Sequence, residues 1–420
     1  MAQNNIIRRE QSVRVGLESA FGVTPSGTFP NAMTRIITTD EIKGDGATRE
    51  MLDSSDIRAR RMDAIQPIQG LEIGSKVMLK AYLKATPSAS QLTSSAAPGS
   101  LTPRVLLTHA LGTEHAAAGS TVATGTSATQ FDVASGHGSR FKKGTLIAVE
   151  ISSAMEWALV TNISTDTLTV SPALSGTPST SAIVRNLYNY APAESHSNSL
   201  TVQAAYVGDS AAQVTFNGCH GGIAFDFGEF GKLTTMSLDL TAASNTLGSQ
   251  SIPTTVVSDE MGSAFALTPQ VYVAAASAPT RGTTLPCEKF SIELPSDWKM
   301  VRDPSATQTV AAVVNAGGRP RVAKLNVSVR FDSDYWTAFD AETRYSIAIV
   351  QRIGSGTTAS FWIWQMNNAK LTAQPKLVDI GDRLHMDLEF SPIQDDAVTV
   401  GGSTGTDLDH IYAPYRVAFG

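Results

Sequence analysis

Phe216–Ser244, FNGCHGGIAFDFGEFGKLTTMSLDLTAAS, is the stretch whose reading decides the fold. Ile223, Phe225 and Phe227 alternate with Ala224 and Asp226, and after Gly228-Glu229-Phe230-Gly231 the pattern resumes at Met236, Leu238 and Leu240 against Ser237 and Asp239. Side chains two apart on a strand point to one face, so this spacing predicts a two-stranded hairpin with one buried face. Glycines in the connection tolerate the positive φ of a tight turn. Leu325, Val327, Val329 and Phe331 repeat the pattern, as do Leu384, Met386, Leu388 and Phe390. None of these stretches carries catalytic groups.

Around them the composition is that of a folded β protein. The 420 residues can bury large cores, and 42% are hydrophobic, which excludes general disorder. Only 17% are charged, below the usual quarter. Short strands joined by small-residue turns would give that value. So would a surface covered by copies of the same chain, and the two are compatible. A net charge of −6 gives no general attraction to nucleic acid, although a mildly acidic wall would let nucleic acid slide past without sticking. Cys219 and Cys287 are too few for a disulfide scaffold and lack metal-ligand spacing; they read as small buried residues. The N-terminal segment lacks a signal-peptide layout and no apolar run approaches the ~20 residues of a membrane span, so the expectation is synthesis and folding in a cytoplasm.

Taken in order, residues 11–30 begin as a strand and pass into a Gly/Pro/Thr loop. The most charged segment follows, Thr34–Arg61, with Arg49, Glu50, Asp53, Asp56, Arg58, Arg60 and Arg61 close together. Mixed signs and two glycines predict an exposed loop or hairpin, either a solvated arm or one that touches a neighbouring subunit. Gly70–Ala85 reads as a strand that turns helical at its end. Thr102-Pro103 before RVLLTHALG is a helix start, with Gly112 as the stop. Beyond Glu114 a small-residue run leads into strand-length segments at Leu146–Val149, Trp157–Val160 and Thr167–Val170, which predict an inserted β unit of about 70 residues, the size of the smallest self-folding domains. Deleting residues 119–192 is expected to leave assembly intact, because an insertion with adjacent ends folds separately. The second half carries strands at Gln270–Ala274, Ser346–Ile353, Ser360–Met366 and Leu384–Phe390, and a helix capped by Ser333 or Asp334. The tail ends in an apolar patch, expected to dock on another element.

Nothing in the chain assembles a reaction centre. None of the seven histidines lies in a zinc-binding pattern, and there is no nucleophile elbow or phosphate loop. His220 adjoins Cys219, but neighbours on a strand face opposite ways. Asp395-Asp396, and Asp407 and Asp409 with His410, read as solvated tail residues. Trp362 and Trp364 share one strand face, which reads as a packed or subunit-contact face before a sugar-stacking platform. The expectation is no enzyme, no cofactor and no metal.

Two motifs carry a resemblance. GLESAFGVTP (Glu18, Ser19, Phe21, Gly22, Pro25) resembles the opening of tail tube proteins of long, non-contractile-tailed bacteriophages. The Gly218-Cys219 pair before the Ile223–Phe227 strand is similar to that family's hairpin, and the KFSIELPSDW, RVAKLNVSVRF and DRLHMDLEF series to its second half. The resemblance implies a mainly β fold: two tail-tube-type β-sandwich or half-barrel domains with short flanking helices and an inserted small β domain. The divisions would be 1–118 plus 193–250, an outward-facing insertion at 119–192, a second tube domain at 251–396 and a C-terminal arm at 397–420. It implies a structural virion protein, made in the bacterial host cytoplasm and residing in the tail, whose copies form stacked rings around a channel through which DNA passes without specific binding and without a membrane. The expected ring is a homotrimer of pseudo-sixfold symmetry, or a homohexamer if each chain supplies one sandwich. Tail terminator and tail-tip proteins would be its partners, with a tape measure protein inside. The charged segment, together with Tyr412, Tyr415 and Phe419 of the arm, would join subunits. Another phage structural protein, at the tail tip or decorating a capsid, and a carbohydrate-binding adhesion protein are the alternatives.

Overall fold

The computed structural model of the chain describes residues 6–26, 33–36, 38, 42, 48–52, 68–83, 102–193, 195–208, 212–229, 233–248, 269–281, 284, 287–294, 298–302, 310–316, 324–330, 332–380, 383–393 and 407–420. The chain is mainly β. Its first strands are β1 (Ile6–Leu17), β2 (Thr34–Ile36), β3 (Thr48–Leu52), β4 (Ile68–Ile73) and β5 (Lys76–Tyr82), followed by helix α1 (Thr102–Leu111) and β6 (Gly112–His115). Then come β7 (Ser120–Gly125), β8 (Gln130–Val133), β9 (Leu146–Ile151), β10 (Ala154–Ser164), β11 (Thr167–Ser171) and β12 (Ile183–Asn186). The middle of the chain supplies β13 (Tyr188–Pro192), β14 (Ser195–His196), β15 (Leu200–Gly208), β16 (Ala212–Glu229), β17 (Thr235–Thr241), β18 (Ser244–Gly248) and β19 (Gln270–Ala275). The last part adds β20 (Cys287–Leu294), β21 (Trp298–Arg302), β22 (Val310–Ala316), β23 (Lys324–Arg330), α2 (Ser333–Asp340), β24 (Tyr345–Ile353), β25 (Ser360–Leu371), β26 (Lys376–Ile380), β27 (Arg383–Pro392), α3 (Asp407–Ile411) and β28 (Arg416–Phe419).

The predicted hairpin is present and central. β16 pairs antiparallel with β17, with Ile223 opposite Leu238 and Phe225 opposite Met236. Ile223, Phe225, Phe227, Met236, Leu238 and Leu240 are all buried, so the alternation chose the right face. β16 also does what the alternation could not reveal. Its first part, up to Asn217, lies between β15 and β18, whereas its second part lies between β17 and β20. The strand changes sheets at Gly218, whose φ of 64° is in the left-handed region; a Cβ there would stand 2.8 Å from the Phe21 ring.

One sheet therefore runs β2-β1-β15-β16-β18, and a second runs β5-β17-β16-β20-β23-β27-β26. A third face, β19-β24-β25-β28-β13-β6, packs opposite the second. Between them Phe225 and Phe227 meet Trp364 edge-on at 5.1 and 4.8 Å, and Trp362 stacks on Phe419 at 4.7 Å. A single core cluster includes residues of both halves of the chain. The ladder between β16 and β20 links the parts placed on either side of residue 250, which lies outside the described residues.

α1 ends as the sequence signals require. Gly112 has φ 89°, and a Cβ there would meet the His196 ring at 2.4 Å. α2 departs from expectation in one detail: its N-cap is Asp332, whose carboxylate accepts the Asp334 N–H at 3.0 Å, rather than Ser333 or Asp334. The segment after Gly70 is strand through Tyr82, with no helical turn among its described residues, because β5 is held in register by β17.

β7–β12 close into a barrel with its own core, Phe131, Val149, Val160 and Leu168 among them. β13, which the 119–192 division assigns to this unit, instead pairs with β28 and β6 of the third face. The barrel is also not detached. Leu146, Trp157, Leu159 and Leu187 pack on Val350, Phe361, Ile363 and Ala418. Arg185, fully buried, donates to Ala359 O at 2.8 Å and to Thr357 O. The third face is thus covered on both sides, which is why β25 is an unbroken buried run instead of an alternating one. Removing the barrel would uncover that apolar surface.

Candidate functional site

The GLESAFG motif is the first place where sequence signal and geometry meet. The Glu18 carboxylate accepts four hydrogen bonds: Ser199 Oγ at 2.6 Å, Thr201 Oγ1 at 2.8 Å, Gly218 N–H at 2.7 Å and Gly22 N–H at 2.8 Å. Thr24 Oγ1 and Thr201 Oγ1 both reach Asn217 Oδ1, at 3.2 and 3.1 Å. Hydrogen bonds to a carboxylate are among the stronger ones. Glu18 thus ties the loop after β1 to the point where β16 changes sheets.

The second feature lies at the two ends of the β5-β17-β16-β20-β23-β27-β26 run. β5 has β17 on one edge, and among the described residues only the isolated bridge Thr38–Ala81 on the other. β26 has β27 on one edge and no described strand on the other. Exposed apolar side chains stand at both ends but on opposite faces: Met78 (61% exposed) and Tyr82 (40%) on the outer face of β5, and Leu377 (50%) on β26 with Leu384 (47%) on β27 on the face that bears buried Met386. An open edge with exposed apolar residues is a template for another strand.

Between these ends the outer face of the sheet is polar. Asp239 lies opposite Met78, Glu293 opposite Lys324, Asn326 opposite Glu389 and Ser328 opposite Asp387. Lys324 Nζ sits 3.3 Å from Glu389, and the Thr372 hydroxyl and Lys324 hold the Glu389 carboxyl below its ordinary range. Charges of both signs alternate, so there is no concentrated basic surface of the kind that grips nucleic acid.

The remaining expected site residues fall as follows. Arg49 and Glu50 lie in β3, hydrogen-bonded to β4 in a hairpin; Asp53, Asp56, Arg58, Arg60 and Arg61 lie outside the described residues. Of the arm residues, Tyr415 and Phe419 are buried in the chain's own core, and Tyr412 is 39% exposed. β28 docks between β25 and β13, so the apolar end of the chain finds its partner within the same chain. Trp362 and Trp364 are 0% and 3% exposed and stack on each other at 5.6 Å, so the sugar-platform reading is corrected: no ligand can reach them. Cys219 is buried, and burial pushes its thiol well above the usual range; the side chain of Cys287 lies outside the description. Asp395 and Asp396 are likewise outside it, whereas Asp409 accepts from Thr113 Oγ1 at 2.7 Å and His410 is buried. No group of three or more His, Cys, Asp or Glu that could hold a metal occurs among the described residues.

Sequence reasoning missed one cluster. Three histidines surround Trp298: His109 stacks on it at 5.0 Å, His196 meets it edge-on at 5.1 Å and His220 lies at 5.9 Å. Trp298 Nε1 donates to Gly221 O at 3.0 Å. These residues come from α1, β14, β16 and β21, so no local spacing could have joined them. No protein-family model matches the chain, and no curated protein matches it as a relative.

Proposed function

We propose that this chain is a wall-forming subunit of a phage tail tube, assembling head-to-tail into rings that stack around a DNA channel. The observation that carries the reading is the pair of open sheet ends. The run has seven strands, each antiparallel to the next, so β5 and β26 point the same way; β26 of one copy set beside β5 of the next would extend the sheet through a parallel pair and leave that sheet no open end once the ring closes. The two ends differ from each other, so the contact is heterologous, the kind that generates rings. The polar outer face of that sheet supplies a lining of mixed charge, along which DNA would pass without being held. The GLESAFG and Gly218-Cys219 motifs fit the same reading, because they fix the sheet change that orients the hairpin.

We propose three chains per ring, with tail terminator, tail-tip and tape measure proteins as partners in the virion. The carbohydrate-binding alternative loses its platform with the burial of Trp362 and Trp364. Sedimentation velocity over a concentration series tests the reading. The unaltered chain should shift to rings or longer polymers, while the pair Met78→Lys with Leu377→Lys should stay monomeric with an unchanged circular dichroism spectrum. Equal polymerisation of both would remove the sheet ends from the account, and a chain that is monomeric throughout, alone and with its virion partners, would remove the tube.

A further inference from the structure

A cleft of about 450 Å³ opens between the barrel and the outer side of the third face, within the range of small-molecule sites. Glu156 and Trp157 of β10 line one wall, Gln270 and Tyr272 of β19 with Arg352 of β24 line the other, and Arg281 lies between them. It is complete within one chain and does not depend on the tube reading.

Not every polar group of the lining is open to the cleft. Trp157 Nε1, Arg281 Nε and Arg352 Nε are all shielded from solvent and find no acceptor among the described residues. Being closed to solvent, these three nitrogens are closed to an occupant of the cleft as well, so recognition falls to the groups that face the opening: the Arg352 guanidinium terminus, the Tyr272 ring and the Gln270 amide. Glu156 cannot serve, because its carboxylate is taken up by Arg281 Nη1 at 2.7 Å, the Ser175 N–H at 2.9 Å and the Ser175 hydroxyl. Arg281 is further fixed by Pro172 O at 3.1 Å and Ala173 O at 2.9 Å. Once Glu156 and Arg281 neutralise each other, the charge left over is that of Arg352, whose guanidinium lies 5.8 Å over the Phe361 ring with no carboxylate partner among the described residues. The cleft therefore selects an anion.

The aromatic groups narrow the shape. Arg281 already covers the Trp157 ring at 5.5 Å. Trp157 and Tyr272 are tilted by 55° at 6.0 Å, so they form no parallel slot for a flat aromatic ring. Tyr272 offers a single ring, and its hydroxyl donates to Gln270 Oε1 at 2.6 Å, which leaves the Gln270 amide nitrogen available to a hydroxyl. One aromatic face, an amide donor and a guanidinium without a carboxylate partner among the described residues complement a pyranose ring that carries a carboxylate.

We propose that this cleft binds an acidic sugar, its carboxylate on Arg352 and a C–H face of its ring on Tyr272. Saturation-transfer NMR on the full chain, with sodium glucuronate, glucose and benzoate as probes, tests it. Transfer should reach the glucuronate ring protons, glucose should bind at least about ten-fold more weakly, and Arg352→Gln should weaken glucuronate by a similar factor, since it removes a charge-assisted pair. Gln270→Ala, at an exposed position, should weaken it as well and gives a second variant if the first does not fold. Absence of transfer from glucuronate, equal binding of glucose, tighter binding of benzoate, or full binding by folded Arg352→Gln would each overturn the assignment.

Discussion

Glu18 and His109 show how single residues hold this molecule together. Glu18 sits in an exposed-looking loop by composition, yet its carboxylate gathers the hydroxyls of Ser199 and Thr201 and the N–H groups of Gly22 and Gly218. Glu18→Ala strands those donors at once, and should lower unfolding free energy by about 2–3 kcal/mol in a denaturant titration, with Glu18→Gln recovering part of it. His109 is fully buried on α1 and stacks on Trp298, a contact between distant elements that no local spacing announces. Full burial lowers its pKa to about 4, and burial also lowers those of His220 and His410. Each is held neutral when folded and gains its proton more readily when unfolded, so the unfolded chain binds more protons below about pH 6.5. Stability should be full above that pH and fall as pH drops toward 4. A series of melts between pH 7 and pH 4 checks this, and His109→Gln should flatten the slope; a pH-independent melting temperature would contradict it.

At the scale of elements, the alternating strands were readable and the doubly covered ones were not. β16, β17, β23 and β27 keep apolar and polar residues on opposite faces, and their register follows from that pattern. β25 carries Trp362 and Trp364 toward the main core and Phe361 and Ile363 toward the barrel, a division that no period of two within one strand can announce. The insertion was legible from its compositional borders, but its docking was not, because Arg185 and Arg416 bury their charge against backbone carbonyls rather than against acids. An arginine in a strand pattern reads as solvent-facing until the carbonyls it caps are known. β18 is the opposite case: exposed throughout, with Leu247 77% exposed, it pairs among the described residues only with β16 and has no apolar face to mark it as a strand.

At the scale of the molecule, the tightly packed regions have found their partners inside the chain, and the tail end that looked like an inter-subunit arm is one of them. Among the described residues, what faces outward includes a sheet with two unlike open ends and a polar face between, together with a cleft beside the barrel. Long-range pairings decide this arrangement: β16 meets β20 across residue 250, and β28 meets β13 from the far end of the chain. Sequence spacing carries no signal for such partners. The most direct test is a cryo-electron microscopy reconstruction of the polymer formed by the purified chain. The account predicts a hollow ring in which β26 of each copy lies beside β5 of the next and the face bearing Asp239, Glu293 and Asp387 lines the lumen. A polymer in which those two strands lie apart, or in which that face points outward, would contradict it.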